Sequence, residues 1–147
     1  MLVDYWSRMI NRSPRECATV LVVDDDFLVR IFAAEVLHER GLRVLQANNG
    51  PDALQLLEAS PHVDVVFTDV NMPGEFDGLG LARRVRDGWP HIAIVITSGR
   101  ACPQAQLLPA RFVPKPYQPD AVACIIGELI GRQGERRAAT DLNPVAV

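Results

Sequence analysis

An apolar run stops abruptly at one carboxylate in the sequence Val65-Val66-Phe67-Thr68-Asp69-Val70-Asn71-Met72-Pro73-Gly74. Short apolar runs that contain β-branched and aromatic residues are typical of strands that are buried on both faces. The proline and glycine that follow indicate a turn, so Asp69 is expected where this strand leaves its sheet. Reactive groups in open α/β sheets gather at the carboxyl ends of the strands, which makes Asp69 the first candidate functional residue.

Length and composition describe an ordinary globular chain. The 147 residues favour one domain with its own core, and 48% hydrophobic with 22% charged residues is a normal balance. The net charge is −3, from 15 basic and 18 acidic residues. Because the chain has no basic run, we expect no nucleic-acid partner.

Targeting signals and metal-binding cysteine patterns are absent from the sequence. No apolar stretch approaches the roughly 20 residues that span a bilayer, and the N-terminus lacks the apolar segment of a signal peptide. The three cysteines, Cys17, Cys102 and Cys124, lack the spacing of metal ligands, which favours reduced thiols. We therefore expect a cytoplasmic protein with no membrane partner.

Five short strands alternate with helical patterns along the chain. The predicted strands cover residues 19–23, 43–47, 65–69, 92–96 and 111–113. The predicted helices cover residues 27–40, 51–59 and 78–87, and a last helix begins at Pro119. This alternation is typical of a parallel sheet with right-handed crossovers and helices on both faces.

Composition also predicts the domain boundaries. We expect an N-terminal extension at residues 1–17, one folded domain at residues 18–132 and a flexible C-terminal tail at residues 133–147. Residues 100–110 contain two prolines, so a turn of helix or a loop is expected there in place of a full fourth helix.

The first helix has a predicted inward face. Its apolar residues at spacings of three, one and four are Leu28, Ile31, Phe32 and Val36. Residues at these spacings fall on one side of a helix, so we expect that side to pack against the sheet.

Polar side chains stand at the ends of four of the five predicted strands: Asp24 and Asp25, Asp69, Thr97, and Lys115. If those strands are neighbours, their carboxyl ends bring the five groups together. Three close carboxylates repel one another unless a cation binds, and their oxygen atoms suit Mg²⁺ or Mn²⁺. An acidic run before a helix can also simply stabilise the helix N-terminus, a reading that the other strand-end groups argue against.

This set of groups suits phosphoryl transfer. Asp69 is the predicted nucleophile, which would form an acyl phosphate. Lys115 supplies a fixed positive charge, the Thr97 hydroxyl donates to a phosphoryl oxygen, and the backbone carbonyl of Asn71 is a further metal ligand.

The same residues occur in the order that characterises a known family. The motifs are Val-Val-Asp-Asp-Asp at 22–26, Thr-Asp-Val-Asn-Met-Pro-Gly at 68–74, Ile-Thr-Ser-Gly at 96–99 and Pro-Lys-Pro at 114–116. With them, residues 19–131 resemble the receiver domain of two-component response regulators. The resemblance implies a flavodoxin-like (βα)5 three-layer sandwich with strand order 2-1-3-4-5. It also implies phosphorylation of Asp69 by a histidine kinase or a histidine-phosphotransfer protein, and a cis peptide bond between Lys115 and Pro116.

The resemblance further implies a switch, in which phosphorylation draws the Thr97 hydroxyl inward and the ring of Phe112 fills the vacated space. One charge-assisted hydrogen bond contributes about 1.5–3 kcal/mol, whereas moving an equilibrium from 1:99 to 99:1 requires about 5.5 kcal/mol. Thr97 alone is therefore too weak, and Lys115 and the metal must contribute. A plain core role for Phe112 is the alternative.

Two segments depart from the family pattern. Lys115 follows Thr97 by only 18 positions, fewer than in most such receivers, and the loop at residues 74–78 is one residue longer than is common. The shortening is expected in the fourth helix, which argues against the family's usual dimer face, although a homodimer is one possible assembly. The variant resembles the receivers of hybrid sensor kinases and single-domain receivers.

Two other functions compete with this one. Haloacid-dehalogenase-like phosphohydrolases also use an aspartate nucleophile, but they need a second aspartate two residues later, where this chain has Asn71. The complete set of site residues argues against a degenerate receiver that only binds partners. We therefore expect a phosphoacceptor signalling protein, not an enzyme with its own substrate. Its donor is expected to dock near the first helix, at Arg30, and at residues 115–117, and its output is an unidentified protein target.

Overall fold

The computed structural model describes residues 17–60 and 62–141, with side chains of the last helix as far as residue 136. Most of the predicted N-terminal extension, residues 1–16, lies outside the described residues. Within the described ranges, no helix has both the length and the apolar character needed to cross a bilayer.

Five parallel strands of the described chain form one sheet in the order β2-β1-β3-β4-β5. They are β1 (Thr19–Val23), β2 (Arg43–Ala47), β3 (Val65–Asp69), β4 (Ala93–Ser98) and β5 (Ala110–Pro114). β1 and β3 are buried along their whole length, which is why they occur in the sequence as continuous apolar runs. The predicted strand order is confirmed, and it brings the ends of β1, β3, β4 and β5 to one edge.

Helices connect these strands on both faces of the sheet. In the described chain they are α1 (Phe27–Glu39), α2 (Gly50–Ala59), α3 (Gly78–Gly88), a 3₁₀ turn (Pro103–Leu107) and α4 (Pro119–Asp141). Three helices start at a side-chain cap, where Asp26, Asn49 and Asp77 accept hydrogen bonds from N–H groups of the first turn. The 3₁₀ turn stands in the place of a full fourth helix, as predicted.

The sheet separates two hydrophobic clusters, which gives a three-layer sandwich. Side chains alternate along β1, so Val20 and Val22 join one cluster, and Leu21 and Val23 join the other. Helices α1 and α4 cover the first face, and α2 and α3 cover the second. Because both faces are covered, the ends of the strands are the accessible places for polar chemistry.

The inward face predicted for α1 is wrong at Leu28 and Phe32, although Val36 packs against the core as predicted. Leu28 and Phe32 are 63% and 59% exposed, whereas Ala33, Ala34 and Leu37 are buried. Apolar residues surround most of this helix, so their periodicity does not single out one face. Ala33, Ala34 and Leu37 lie against the core, while Leu28 and Phe32 remain on the surface.

The flexible tail predicted from residue 133 is also wrong as far as Asp141, because α4 is continuous to that residue. The side chain of Gln133 fixes this part of the helix. Its Nε2 atom donates to the carbonyl oxygens of Asp64 at 3.0 Å and His91 at 2.9 Å. These two residues precede β3 and β4, so α4 is held at the edge of the sheet opposite Asp69. Straight-chain residues and alanines, which favour helix, outweigh Gly134 in this segment.

Candidate functional site

Three carboxylates meet at the carboxyl edge of the sheet. Asp24 and Asp25 directly follow β1, and Asp69 is the last residue of the neighbouring strand β3. One carboxylate oxygen from each residue lies within 4.8 Å of the others. Asp24 and Asp69 are buried, with 4% and 6% exposure, while Asp25 is exposed. The acids are thus gathered as predicted, and burial limits the screening of their mutual repulsion by water.

Lys115 lies against two of these carboxylates. Its Nζ atom is 3.2 Å from Asp69 Oδ2 and 3.4 Å from Asp24 Oδ2. The backbone N–H of Lys115 donates to the carbonyl of Ser98 at 2.9 Å, which ties the end of β5 to β4. The Lys115–Pro116 peptide bond is cis, as the resemblance implies. The only lysine of the sequence is therefore directed at the acidic cluster.

Burial and charge oppose each other at these groups. Burial raises the pKa of Asp24 above its ordinary value, and the Asp26 N–H at 2.9 Å and the Lys115 ammonium offset this only in part. Burial alone would lower the pKa of Lys115, but the attraction of Asp24 and Asp69 exceeds that effect and raises it. Lys115 is therefore a cation at neutral pH. One ammonium among three acidic side chains leaves a cluster that favours a second cation.

The Thr97 hydroxyl is a buried group with no hydrogen-bond partner in the described part of the chain. Thr97 on β4 pairs in register with Asp69 on β3. A buried polar group without a partner costs about 1–3 kcal/mol, so this hydroxyl is available to an acceptor that enters the site. The next residue, Ser98, is already engaged, because its Oγ accepts from Asn71 Nδ2 at 3.5 Å and from the Arg100 N–H at 3.2 Å.

The loop after Asp69 stays close to the site. The Asn71 N–H donates to Asp69 Oδ1 at 3.3 Å, and the Gly78 N–H donates to the carbonyl of Val70 at 2.9 Å. A Cβ atom on Gly78 would collide with the carbonyl oxygen of Asp69. Glycine therefore lets α3 begin directly against the end of β3.

Phe76 anchors the longer part of this loop. Its ring lies against Gly50 at the start of α2, where a Cβ atom would collide with the ring. The guanidinium of Arg84 lies over the same ring, 3.8 Å from its centroid. The loop thus connects α2 and α3, a contact that residue spacing does not reveal.

Arg30 supports the backbone of Asp24, a role that sequence reasoning missed. Its Nη1 atom donates to the carbonyl of Asp24 at 2.7 Å and to Asn48 Oδ1 at 2.8 Å. Its Nε atom donates to Gln46 Oε1 at 3.2 Å. The last two partners come from the end of β2, so the contact is visible only once β2 and β1 are neighbours. Arg30 therefore has a structural role within the domain, and its predicted role as a docking contact stays a prediction.

Phe112 lies outside the acidic cluster. It is on the edge strand β5 opposite Ile96, and its side chain is 38% exposed. The residue paired with Thr97 is Val113. Because side chains alternate along a strand, Phe112 shares a face of the sheet with Ile96 and not with Thr97. Any approach of its ring toward Thr97 therefore requires movement around the edge of the sheet.

An apolar groove of about 560 Å³ borders Lys115. Its apolar lining comes from α1 and from the segment after β5: Val29, Phe32, Pro116, Tyr117 and Pro119. Burial, with smaller contributions from the charges of Asp24, Asp69 and Asp26, raises the pKa of Tyr117 to about 12. Apolar side chains that α1 leaves on the surface therefore lie beside the acidic cluster.

Related sequences point to one family. The model of the response regulator receiver domain matches residues 20–125. The sensor kinase CckA of Brucella abortus (strain 2308) is 38% identical over 122 residues, which cover 79% of this chain and 13% of the kinase. The autoinducer 1 sensor kinase/phosphatase LuxN of Vibrio campbellii is 37% identical over 91 residues, 62% of this chain and 10% of that protein. The chain spans about a tenth of the length of these curated relatives.

Solved structures share the fold. A CheY-like receiver domain protein from Methanospirillum hungatei JF-1 has a TM-score of 0.77 at 20% identity, covering 82% of this chain and 99% of that one. The receiver domain of the hybrid histidine kinase CckA has a TM-score of 0.66 at 30% identity, covering 76% of this chain and 98% of that one. The match to almost all of that domain, together with the sequence match over residues 20–125, establishes that this chain belongs to the response regulator receiver domain family.

Proposed function

We propose that Asp69 accepts a phosphoryl group from a phosphohistidine on a histidine kinase or a histidine-phosphotransfer protein. The observation that carries this proposal is the position of Asp69, 3.2 Å from the Lys115 ammonium and in register with the unpartnered hydroxyl of Thr97. Homology to the receivers of sensor kinases supports the same conclusion.

The proposed reaction uses one oxygen of the Asp69 carboxylate as the nucleophile. This oxygen attacks phosphorus, the P–N bond to the donor imidazole breaks, and the electron pair of that bond stays on the imidazole nitrogen. Lys115 and Thr97 hold the transferred group by donating to its oxygen atoms. Later attack of water on phosphorus releases phosphate and restores Asp69. The chain then needs no substrate of its own beyond the phosphodonor.

We infer that Asp24, Asp25 and Asp69 hold Mg²⁺ or Mn²⁺, with the backbone carbonyl of Asn71 as a further ligand. Three carboxylates whose oxygen atoms lie within 4.8 Å of one another are the donor set that these ions prefer. The exposure of Asp25 leaves one side of the cluster open to water ligands. When bound, the ion would neutralise charge on the acids and on the incoming phosphoryl group.

The proposed output is a change in binding to another protein. A phosphoryl oxygen gives the Thr97 hydroxyl the acceptor that it lacks, and movement of Thr97 changes the packing at the edge of β4 and β5. The exposed ring of Phe112 is the proposed reporter of that change. The hydrogen bond of Thr97 contributes about 1.5–3 kcal/mol, so the new contact to Lys115 must add to it for a complete switch.

The groove beside Lys115 is the proposed docking place of the phosphodonor. Phe27, Leu28 and Phe32 of α1 are 60%, 63% and 59% exposed, a patch that the fold itself does not use. This patch continues into the groove formed with Pro116 and Tyr117. Exposed apolar surface next to a reactive group is typical of a protein interface.

The free cysteines of the described chain agree with a cytoplasmic location, which we also propose.

Phosphorylation by a small-molecule donor tests this function. The chain is incubated with Mg²⁺ and acetyl phosphate, and the intact mass is measured. We expect addition of one phosphoryl group to the wild type and to Asp52→Asn, a matched change of an exposed acid outside the site, and none to Asp69→Asn. Failure of the wild type to accept phosphate from acetyl phosphate or from any histidine kinase would instead indicate a receiver that acts only by binding.

A further inference from the structure

A second concave site lies at the opposite edge of the sheet from Asp69. It is a groove of about 730 Å³ beneath the first residues of β4 and β5, between the end of α3 and the last part of α4. Its floor is aliphatic and includes Ile92, Ile94, Leu108 and Leu129. The volume is in the range of ligand-binding clefts in proteins.

Arginine side chains from three elements line this groove. Arg86 comes from α3, Arg111 from β5, and Arg132 and Arg136 from α4. Arg132 and Arg136 are four residues apart, so they project from the same face of the helix. The charges are scattered in the sequence and converge only because α4 continues past residue 132.

Nearby acids neutralise part of this charge. Arg86 pairs with Asp87 at 2.9 Å, and Arg111 lies 3.8 Å from Glu128. Both pairs are largely exposed, and pairs of this kind contribute little and yield to a better partner. Neither of these acids lines the groove, and no other acid of the described chain does so. The surface that a ligand would meet is therefore basic around an apolar floor.

The groove is also held in shape. Gln133, on the same face of α4 as Leu129 and Arg136, donates to the carbonyl oxygens of Asp64 and His91. These bonds fix the helix to the loops that enter β3 and β4. The arginines of α4 therefore project from a backbone that is already in place, which reduces the entropy lost on binding.

We propose that this groove binds an acidic peptide segment of a partner protein, one that carries aliphatic residues between its carboxylates. Arginine on the rim suits carboxylates, and the aliphatic floor suits leucine-like side chains. The lining contains no phenylalanine, tyrosine or tryptophan ring, and its one aromatic ring is the small imidazole of His91. The large stacking platforms that bind nucleotides and single-stranded nucleic acid are therefore absent from it. Its concave shape argues against a membrane surface. The site is separate from Asp69, so partner binding and phosphorylation can be tested independently.

Fluorescence anisotropy with the full chain tests this proposal. The probe is a fluorescein-labelled peptide of alternating glutamate and leucine, and the control peptide has glutamine in place of glutamate. We expect the glutamate peptide to bind, more weakly as salt increases, and the glutamine peptide not to bind. The double variant Arg132→Gln/Arg136→Gln should weaken binding by about fivefold, the combined size expected for two exposed ion pairs.

The matched control is Arg43→Gln/Arg83→Gln, which removes the same charge from exposed positions outside the groove and should change the affinity by less than about twofold. If the α4 variant unfolds, Arg111→Gln tests the same groove from strand β5, and it should also weaken binding of the glutamate peptide. Equal weakening by the two double variants, or tighter binding of an oligothymidylate than of the peptide, would overturn the proposal. The α4 variant should still accept phosphate from acetyl phosphate, which separates this test from that of Asp69.

Discussion

The Lys115 ammonium lies 3.2 Å from the Asp69 carboxylate, on a side chain that is 26% exposed, against an acid that is almost fully buried. The same ammonium reaches Asp24 at 3.4 Å. One cation thus stabilises two acids that would otherwise repel each other in a poorly screened place. It is also the group that an oxygen of the transferred phosphoryl group would contact. Lys115 therefore has two roles, because it stabilises the fold through its ion pairs and would bind the phosphoryl group during transfer.

Replacement of Lys115 should separate these two roles. Lys115→Met leaves Asp24 and Asp69 without their cation, so the metal-free free energy of unfolding should fall by about 1–3 kcal/mol, less than for a fully buried pair. Mg²⁺ should bind more tightly to this variant because a competing cation is gone, while phosphorylation slows. Urea unfolding with and without Mg²⁺ measures both effects. Weaker Mg²⁺ binding in Lys115→Met than in the wild type would contradict this account.

Two buried threonines in the site should respond oppositely to the same change. The Thr97 hydroxyl has no partner in the described chain, whereas the Thr68 hydroxyl donates to the carbonyl of Asp69 at 2.9 Å. Thr97→Val should therefore raise the free energy of unfolding by about 1 kcal/mol, and Thr68→Val should lower it by about 1 kcal/mol. Thr97→Val should also reduce the difference in affinity for a partner protein between the phosphorylated and the unphosphorylated chain. Equal destabilisation by both changes would show that Thr97 has a partner already.

Tyr117 gives the site a test at high pH. Its pKa is about 12 in the folded chain, against 10.0 for an ordinary tyrosine. Between these values the unfolded chain loses a proton that the folded chain keeps, so the contribution to stability is complete below pH 10 and is lost as the pH rises toward 12. Absorbance titration of Tyr5→Phe, which leaves Tyr117 as the only tyrosine, should give a midpoint near 12. A midpoint near 10 would mean that the groove is open to water.

Two residues of α1 have different proposed roles, since Phe32 contacts the phosphodonor and Arg30 positions Asp24. Phe32→Glu places a charge on the exposed apolar patch, so it should slow transfer from a phosphorylated histidine-phosphotransfer protein about tenfold and leave transfer from acetyl phosphate unchanged. Arg30→Glu should slow both transfers, because Arg30 holds the backbone of Asp24. Rates of phosphoryl uptake from the two donors measure this. If Arg30→Glu slowed transfer from the protein donor and left transfer from acetyl phosphate unchanged, Arg30 would be a docking contact.

Much of the site was predictable because each functional residue lies at the carboxyl end of a strand or just after it. Asp24, Asp69, Thr97 and Lys115 are separated widely in the sequence, yet the alternation of strands and helices leaves few sheet orders that join them. Asp69 and Thr97 then become register partners without any local signal. The short segment before β5 was equally clear, since two prolines prevent a full helix there.

The remaining features depend on contacts between distant residues. Arg30 finds its partners Gln46 and Asn48 only after β2 joins β1. The last part of α4 is held against the domain at Gln133, whose partners lie in loops far away in the sequence, so composition alone predicted a tail. The buried face of α1 was missed because the helix is apolar on nearly all sides.

The identity of the phosphorylated residue is the most direct test of the central claim. The chain is phosphorylated with acetyl phosphate and Mg²⁺, reduced with borohydride to convert an aspartyl phosphate into homoserine, and sequenced by mass spectrometry. We predict homoserine at position 69 only. Homoserine at position 24 or 25, or phosphate on a hydroxyl in place of a carboxylate, would contradict the assignment of Asp69 as the phosphoacceptor.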